Sequence, residues 1–228
     1  MHDPSTGPVE FLFIHIPKTA GTYIRREVVE PLAPHFRHMG HAFYEDQQVY
    51  GWGCWEKPEA EPQWVTRRGY GPLVESGIPA FTVIRNPFDL LVSYYLHNFN
   101  KPAHRGFANC LNLHGFTCFR DFILGYCDPE LTWHIPALKT RLFGQLFDPA
   151  GRLVPRYILR QETLSEDLQK FLQDHGLNPD IDPRPARRTK SRKQRDYRQF
   201  YDDDLVERLN HKLAPDLSQF DYAFDSGH

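Results

Sequence analysis

No run of eighteen apolar residues occurs anywhere in the 228-residue chain, which excludes an ordinary membrane-spanning helix. The first ten residues, MHDPSTGPVE, lack both the basic and the apolar stretch of a secretory leader, so a cytoplasmic protein is expected. Cysteine is sparse. Cys54, Cys110, Cys118 and Cys127 form no C-x-x-C pair and no zinc-like spacing, which favours free thiols over a disulfide framework or a metal site. Excess charge of either sign is missing as well: 27 Lys and Arg against 29 Asp and Glu leave a net charge of −2. The molecule as a whole is therefore no polyanion binder, nucleic acid is not an expected partner, and any anion site must be local. Internal repeats and linker-like segments are also lacking, so a single domain over 1–228 is expected, with 40% hydrophobic residues to fill its core.

What is present begins with EFLFIHIPKTAGTYIRREVV, residues 10–29. Phe11–Ile14 is apolar throughout, as in a parallel strand covered on both faces. Pro17, Lys18, Thr19, Ala20, Gly21 and Thr22 break that pattern before Ile24, Val28 and Leu32 recur at helical spacing, ending near Pro31 or Pro34. A lysine and small hydroxyl residues between a strand and a helix read either as an anion cradle of backbone N–H groups or as a plain connection whose glycine makes the turn. The plan repeats in IPAFTVIRNPFDLLVSYYLHNF. A buried strand over 80–84 is followed by Arg85, by Asn86 as an N-cap and by Pro87 in the first helical turn. Phe88, Leu91, Val92, Tyr95, Leu96 and Phe99 then form a helical stripe, with Asp89 and Ser93 on the other side. Each unit thus places a cation at the C-terminal end of a strand, where open α/β sheets bind ligands.

The remainder reads as follows. A short strand is expected within 35–39, and 42–79 is an irregular insertion rich in Gly, Pro and aromatic residues. A helix near 117–126 carries Phe119, Phe122, Ile123 and Tyr126 on one face. A strand over 156–161 leads to a helix opened by a Thr163–Glu166 capping box and stopped by Gly176. Residues 184–198 hold eight cations against one acid, Asp196. A last helix covers about 203–213, and Phe220, Tyr222 and Phe224 dock the C-terminus. The fold class expected is α/β, a short central parallel sheet flanked by helices.

A P-loop kinase needs G-x-x-x-x-G-K-[ST]. Here Lys18-Thr19 lacks the upstream glycines, Gly21 follows instead, and no obvious acidic magnesium ligand ends a strand. HIPKTAGT followed by VIRNPFDLLVSYY instead resembles the sulfotransferases that use 3′-phosphoadenosine-5′-phosphosulfate (PAPS), most closely the heparan-sulfate and bacterial carbohydrate branch. RYILRQETLSEDLQKFL and YRQFYDDDLVERL are similar to that family's later strand–helix and C-terminal helix. The resemblance implies transfer of a sulfuryl group to a hydroxyl of a carbohydrate or small natural product, leaving 3′-phosphoadenosine-5′-phosphate (PAP), with no metal. It implies that Lys18, Thr19, Ala20, Gly21, Thr22 and the adjoining Tyr23 hold the 5′-phosphosulfate and that Arg85 and Ser93 hold the 3′-phosphate. Ser93 by itself also reads as a solvent-facing helix residue. Gly40-His41 resembles the family's glycine–histidine pair that supplies a general base, while His38, a carboxylate, or a bystander role for His41 stay open. The basic run, through Arg188, Arg192 and Lys193, reads as a lid over the nucleotide, an acceptor patch or a solvated face. An atypical kinase and a non-catalytic nucleotide-binding module are the alternatives.

Overall fold

The computed structural model describes residues 11–32, 35–38, 42–45, 47–50, 64–67, 69–99, 116–130, 141–177 and 196–225, except the side chains of 47–50, 64–67 and 97–99. The chain is α/β and divides into two compact units, one of residues 1–46, 68–85 and 145–193, the other of 47–67, 86–144 and 194–228.

The first unit is built on β1 (Phe11–Ile14), continued through a loop into helix α1 (Gly21–Ile24) and then β2 (Phe36–His38). Strand β3 (Gln47–Tyr50) and strand β4 (Trp64–Arg67) belong to the second unit and pair antiparallel, Gln47 opposite Arg67 and Tyr50 opposite Trp64. The 42–79 stretch is therefore more regular than its composition suggests. It also holds helix α2 (Gly71–Glu75). The strand signal was only four residues long on each side, β-branched and aromatic residues among Gly and Pro, too short to show a period. Strand β5 (Ala80–Ile84) leads into helix α3 (Pro87–Phe99), and helix α4 (Phe119–Cys127) follows. Strand β6 (Tyr157–Arg160), helix α5 (Leu164–Asp174) and helix α6 (Asp203–Phe220) complete the described elements.

Four strands form one parallel sheet in the order β2-β1-β5-β6. Helices pack against it. Phe11, Phe13, Phe81, Val83 and Leu159 of the sheet share a buried cluster with Tyr23, Ile24, Val28 and Val29 and with Leu168 and Phe171 of α5. Phe81 is central: its ring stacks on Phe13 at 5.0 Å and on Phe171 at 5.1 Å and meets Phe36 edge-on. Burial on both faces explains why β1 and β5 read as unbroken apolar runs.

Helix ends show where local signals succeed and fail. Asn86 accepts from the Phe88 N–H at 3.0 Å, the expected cap of α3. Gly176, with φ +69°, closes α5, its N–H reaching Gln173 while Leu177 N–H reaches Leu172. The expected Thr163–Glu166 box is not formed. The Thr163 hydroxyl donates to Asp167 instead, and the same carboxylate oxygen accepts from Arg160 N–H, so Asp167 ties the end of β6 to the first turn of α5. A reciprocal box is found at Cys118 and Asp121 at the start of α4. In the second unit α6 continues seven residues past its expected end, through Pro215. The next residue, Asp216, is buried and accepts from Arg141 Nε at 3.0 Å and Leu142 N–H at 2.9 Å. Burial still holds its pKa above the ordinary value, against the pull of Arg141.

Truncating the central ring should show how far the sheet depends on it. Phe81→Ala is expected to cost about 3–5 kcal/mol, read as a lower urea midpoint with an unchanged slope.

Candidate functional site

Two strand ends approach each other in the first unit. The chain leaves β1 toward β2 on one side and leaves β5 toward β6 on the other, so the β1–β5 crevice is the sheet's topological switch point. Ligands of open α/β sheets bind outside the C-terminal strand ends at such a point. The loop after β1 and Arg85 after β5 both lie there.

The loop from His15 to Ala20 has an unusual backbone. Lys18 (φ +66°) and Ala20 (φ +64°) are both left-handed, a region that side chains with a Cβ enter at a cost of about 1–2 kcal/mol. Surroundings must hold it, and three contacts do. The Thr19 side chain is fully buried and its hydroxyl donates to the Ile16 carbonyl at 2.9 Å. The Ala20 carbonyl accepts from Tyr23 N–H at 2.8 Å and Ile24 N–H at 3.2 Å, starting α1. Arg85, 4% exposed, donates from Nη1 to the Lys18 carbonyl at 3.3 Å. A buried guanidinium and a strained loop thus satisfy one another.

Gly21 has a steric reason. A Cβ there would lie 1.7 Å from His15 Nε2 and 1.9 Å from its Cδ2, because the imidazole rests against the start of the helix. His15 Nδ1 is 3.2 Å from His38 Nε2 at the end of β2, and Phe13 stacks on both rings, at 5.4 and 5.5 Å.

After one α turn the helix widens into a π-helix, Arg25–Val29, with Glu30 N–H reaching the Arg25 carbonyl. This i to i+5 register brings Arg25 and Glu30 within 3.4 Å of each other. Both charges act on His38. Burial first, then the Arg25 cation, lowers its pKa, while Glu30 raises it by less.

The sequence-derived residues are placed as follows. Lys18, Thr19, Ala20, Gly21 and Arg85 meet at the β1–β5 edge, whereas Thr22 is exposed on α1 and Tyr23 packs into the core cluster. Ser93 lies in the second unit, on α3, and is 1% exposed, so the solvent-facing alternative is excluded. Its helix is buried nearly all round at Phe88, Leu90, Leu91, Val92 and Tyr94 rather than along one stripe. His41, Arg188, Arg192 and Lys193 fall outside the described residues. Of the basic run only Arg198 is described. It pairs with Asp196 and Asp225 and lies over the Tyr197 ring. Sequence reasoning missed His15 and His38 as a pair, and the only signal was their position at the ends of neighbouring strands.

Among the described residues no group of three or more His, Cys, Asp or Glu could hold a metal ion, and no helix is long and apolar enough to cross a membrane. Comparison with known proteins adds one distant relative. An uncharacterized protein of Archaeoglobus fulgidus is 29% identical over 125 residues, 54% of this chain and 88% of that protein. No family model matches the chain.

Two outcomes test this geometry. Gly21→Ala should destabilise by about 1–3 kcal/mol, and His15→Ala should relieve most of that loss, which a double-mutant cycle in urea reads directly. The lowered His38 pKa sets a sign. The unfolded imidazole takes up its proton near 6.5, before the folded one does. Stability from this group is complete above that pH and is lost as pH falls through the folded value. Urea midpoints between pH 8 and 5 should drop less steeply in His38→Gln than in the wild type.

Proposed function

We propose that the chain is a PAPS-dependent sulfotransferase that transfers a sulfuryl group to a hydroxyl of a carbohydrate or small natural product. The observation that carries this reading is the Lys18 loop at the β1–β5 switch point, held in left-handed backbone by a buried arginine. Strain of this kind clusters at ligand clamps. The loop resembles a P-loop in position, with a lysine and the first N–H groups of α1 at a strand end. The A. fulgidus relative does not bear on the activity.

In this reading the residues have distinct tasks. The bond from sulfur to the bridging phosphate oxygen breaks as the bond from the acceptor oxygen forms, so negative charge grows on the 5′-phosphate. Lys18 and the loop amides lie where that charge would be stabilised, a contribution of about 3–4 kcal/mol for a lost donor. Arg85 offers a planar fork of donors, one of which serves the Lys18 carbonyl, for the 3′-phosphate. Ser93 would add a hydroxyl, as the family resemblance implies. The acceptor's proton goes to a general base, His41 by resemblance.

Calorimetry and turnover test these assignments. Arg85→Lys keeps a donor for the loop carbonyl but loses the fork. It should weaken PAP about tenfold or more and change adenosine 5′-phosphate by less than about twofold. Lys18→Ala should lower sulfate transfer from labelled PAPS, on a panel of hydroxylated acceptors, by about 10²–10³. Binding of magnesium-ATP in preference to PAP would instead favour a kinase.

A further inference from the structure

Three buried side-chain atoms among the described residues have no hydrogen-bond partner: His35 Nδ1, Gln145 Oε1 and Gln161 Oε1. Gln161 differs from the other two by its place. The final bond of the β5–β6 ladder runs from Gln161 N–H to the Ile84 carbonyl at 2.8 Å. Ile84 and Arg160 are register partners, so the next residues along the two strands, Arg85 and Gln161, stand side by side beyond the C-terminal ends. Alternation sets both on the face of Val83 and Leu159, the face that α1 covers. A buried amide oxygen without a donor costs about 1–3 kcal/mol, and here it adjoins a cation at the ligand-binding edge.

We propose that Gln161 reads the ribose 2′-hydroxyl of the nucleotide, which makes it a specificity residue for a ribonucleotide. The proposal rests on the assignment of Arg85 to the 3′-phosphate. In such a nucleotide the group on the carbon next to the 3′-phosphate is the 2′-hydroxyl, a neutral donor. An amide oxygen suits it better than a carboxylate would, because a second anion beside the 3′-phosphate would be repelled. Arg85 holds the charged substituent of the ribose, and Gln161 accepts from the uncharged one beside it. A site built to hydrogen-bond a hydroxyl discriminates strongly against the analogue without it, because its own buried polar atom is then left unpaired.

The test compares adenosine 3′,5′-bisphosphate with its 2′-deoxy analogue, by calorimetry, on the wild type and on Gln161→Leu. The wild type should bind the ribonucleotide about tenfold more tightly. Gln161→Leu should lose this preference by weakening the ribonucleotide alone, with the deoxynucleotide unchanged. Equal wild-type affinities overturn the role of Gln161 while leaving the nucleotide site in place, and this readout does not depend on the variant folding. A preference retained in Gln161→Leu also overturns it. Binding of neither compound removes the PAPS reading and this inference together.

Discussion

Arg85 cannot be buried at the end of β5 without acceptors, and the loop after β1 cannot hold two left-handed side-chain-bearing residues without restraint. Their meeting at the Lys18 carbonyl resolves both demands. A buried charge with no partner would be costly, and so would an unsupported strained loop. The parallel sheet makes the meeting possible, because adjacent strands β1 and β5 deliver their ends to one edge. Everything assigned to the site depends on this bond: the direction of the first N–H groups of α1, the place of Lys18 and the fork left for an anion.

Most of the first unit was legible. Unbroken apolar runs announced β1 and β5, and both appear within the expected residues because a strand buried on two faces leaves little choice of composition. Asn86 and Gly176 were legible because capping is local chemistry. The box at Thr163 failed for the same locality. Asp167 sits one residue beyond Glu166 and meets demands from two elements, which no four-residue window contains. Pro215 misled in the opposite sense, since its helix is held past the proline by Arg141 and Leu142, far away in sequence.

The site was legible in part. Lys18 and Arg85 carried the signal of a cation at a strand end, and the structure brings their chain segments together. Its left-handed backbone gave no sign, since Lys18 and Ala20 stand where glycine would have marked the turn. Tyr23 followed from adjacency to the motif, but helical phase turns it into the core. His15, His38 and Gln161 are ordinary residue types whose meaning comes only from strand register.

The π-helix has a consequence for chain length. Five residues of α-helix would carry Glu30 about 140° round the axis from Arg25. In the wider turn the two charges face one another instead. A π-helix holds one more residue than the α turn it replaces, so deleting a single position between 25 and 29 would restore the tighter helix. That deletion would rotate everything after it, separating the charge pair beside His38 and turning the segment before β2 out of phase. The number of residues in this stretch is therefore constrained as firmly as their identity, and alignments of related chains should tolerate substitution here far better than gaps.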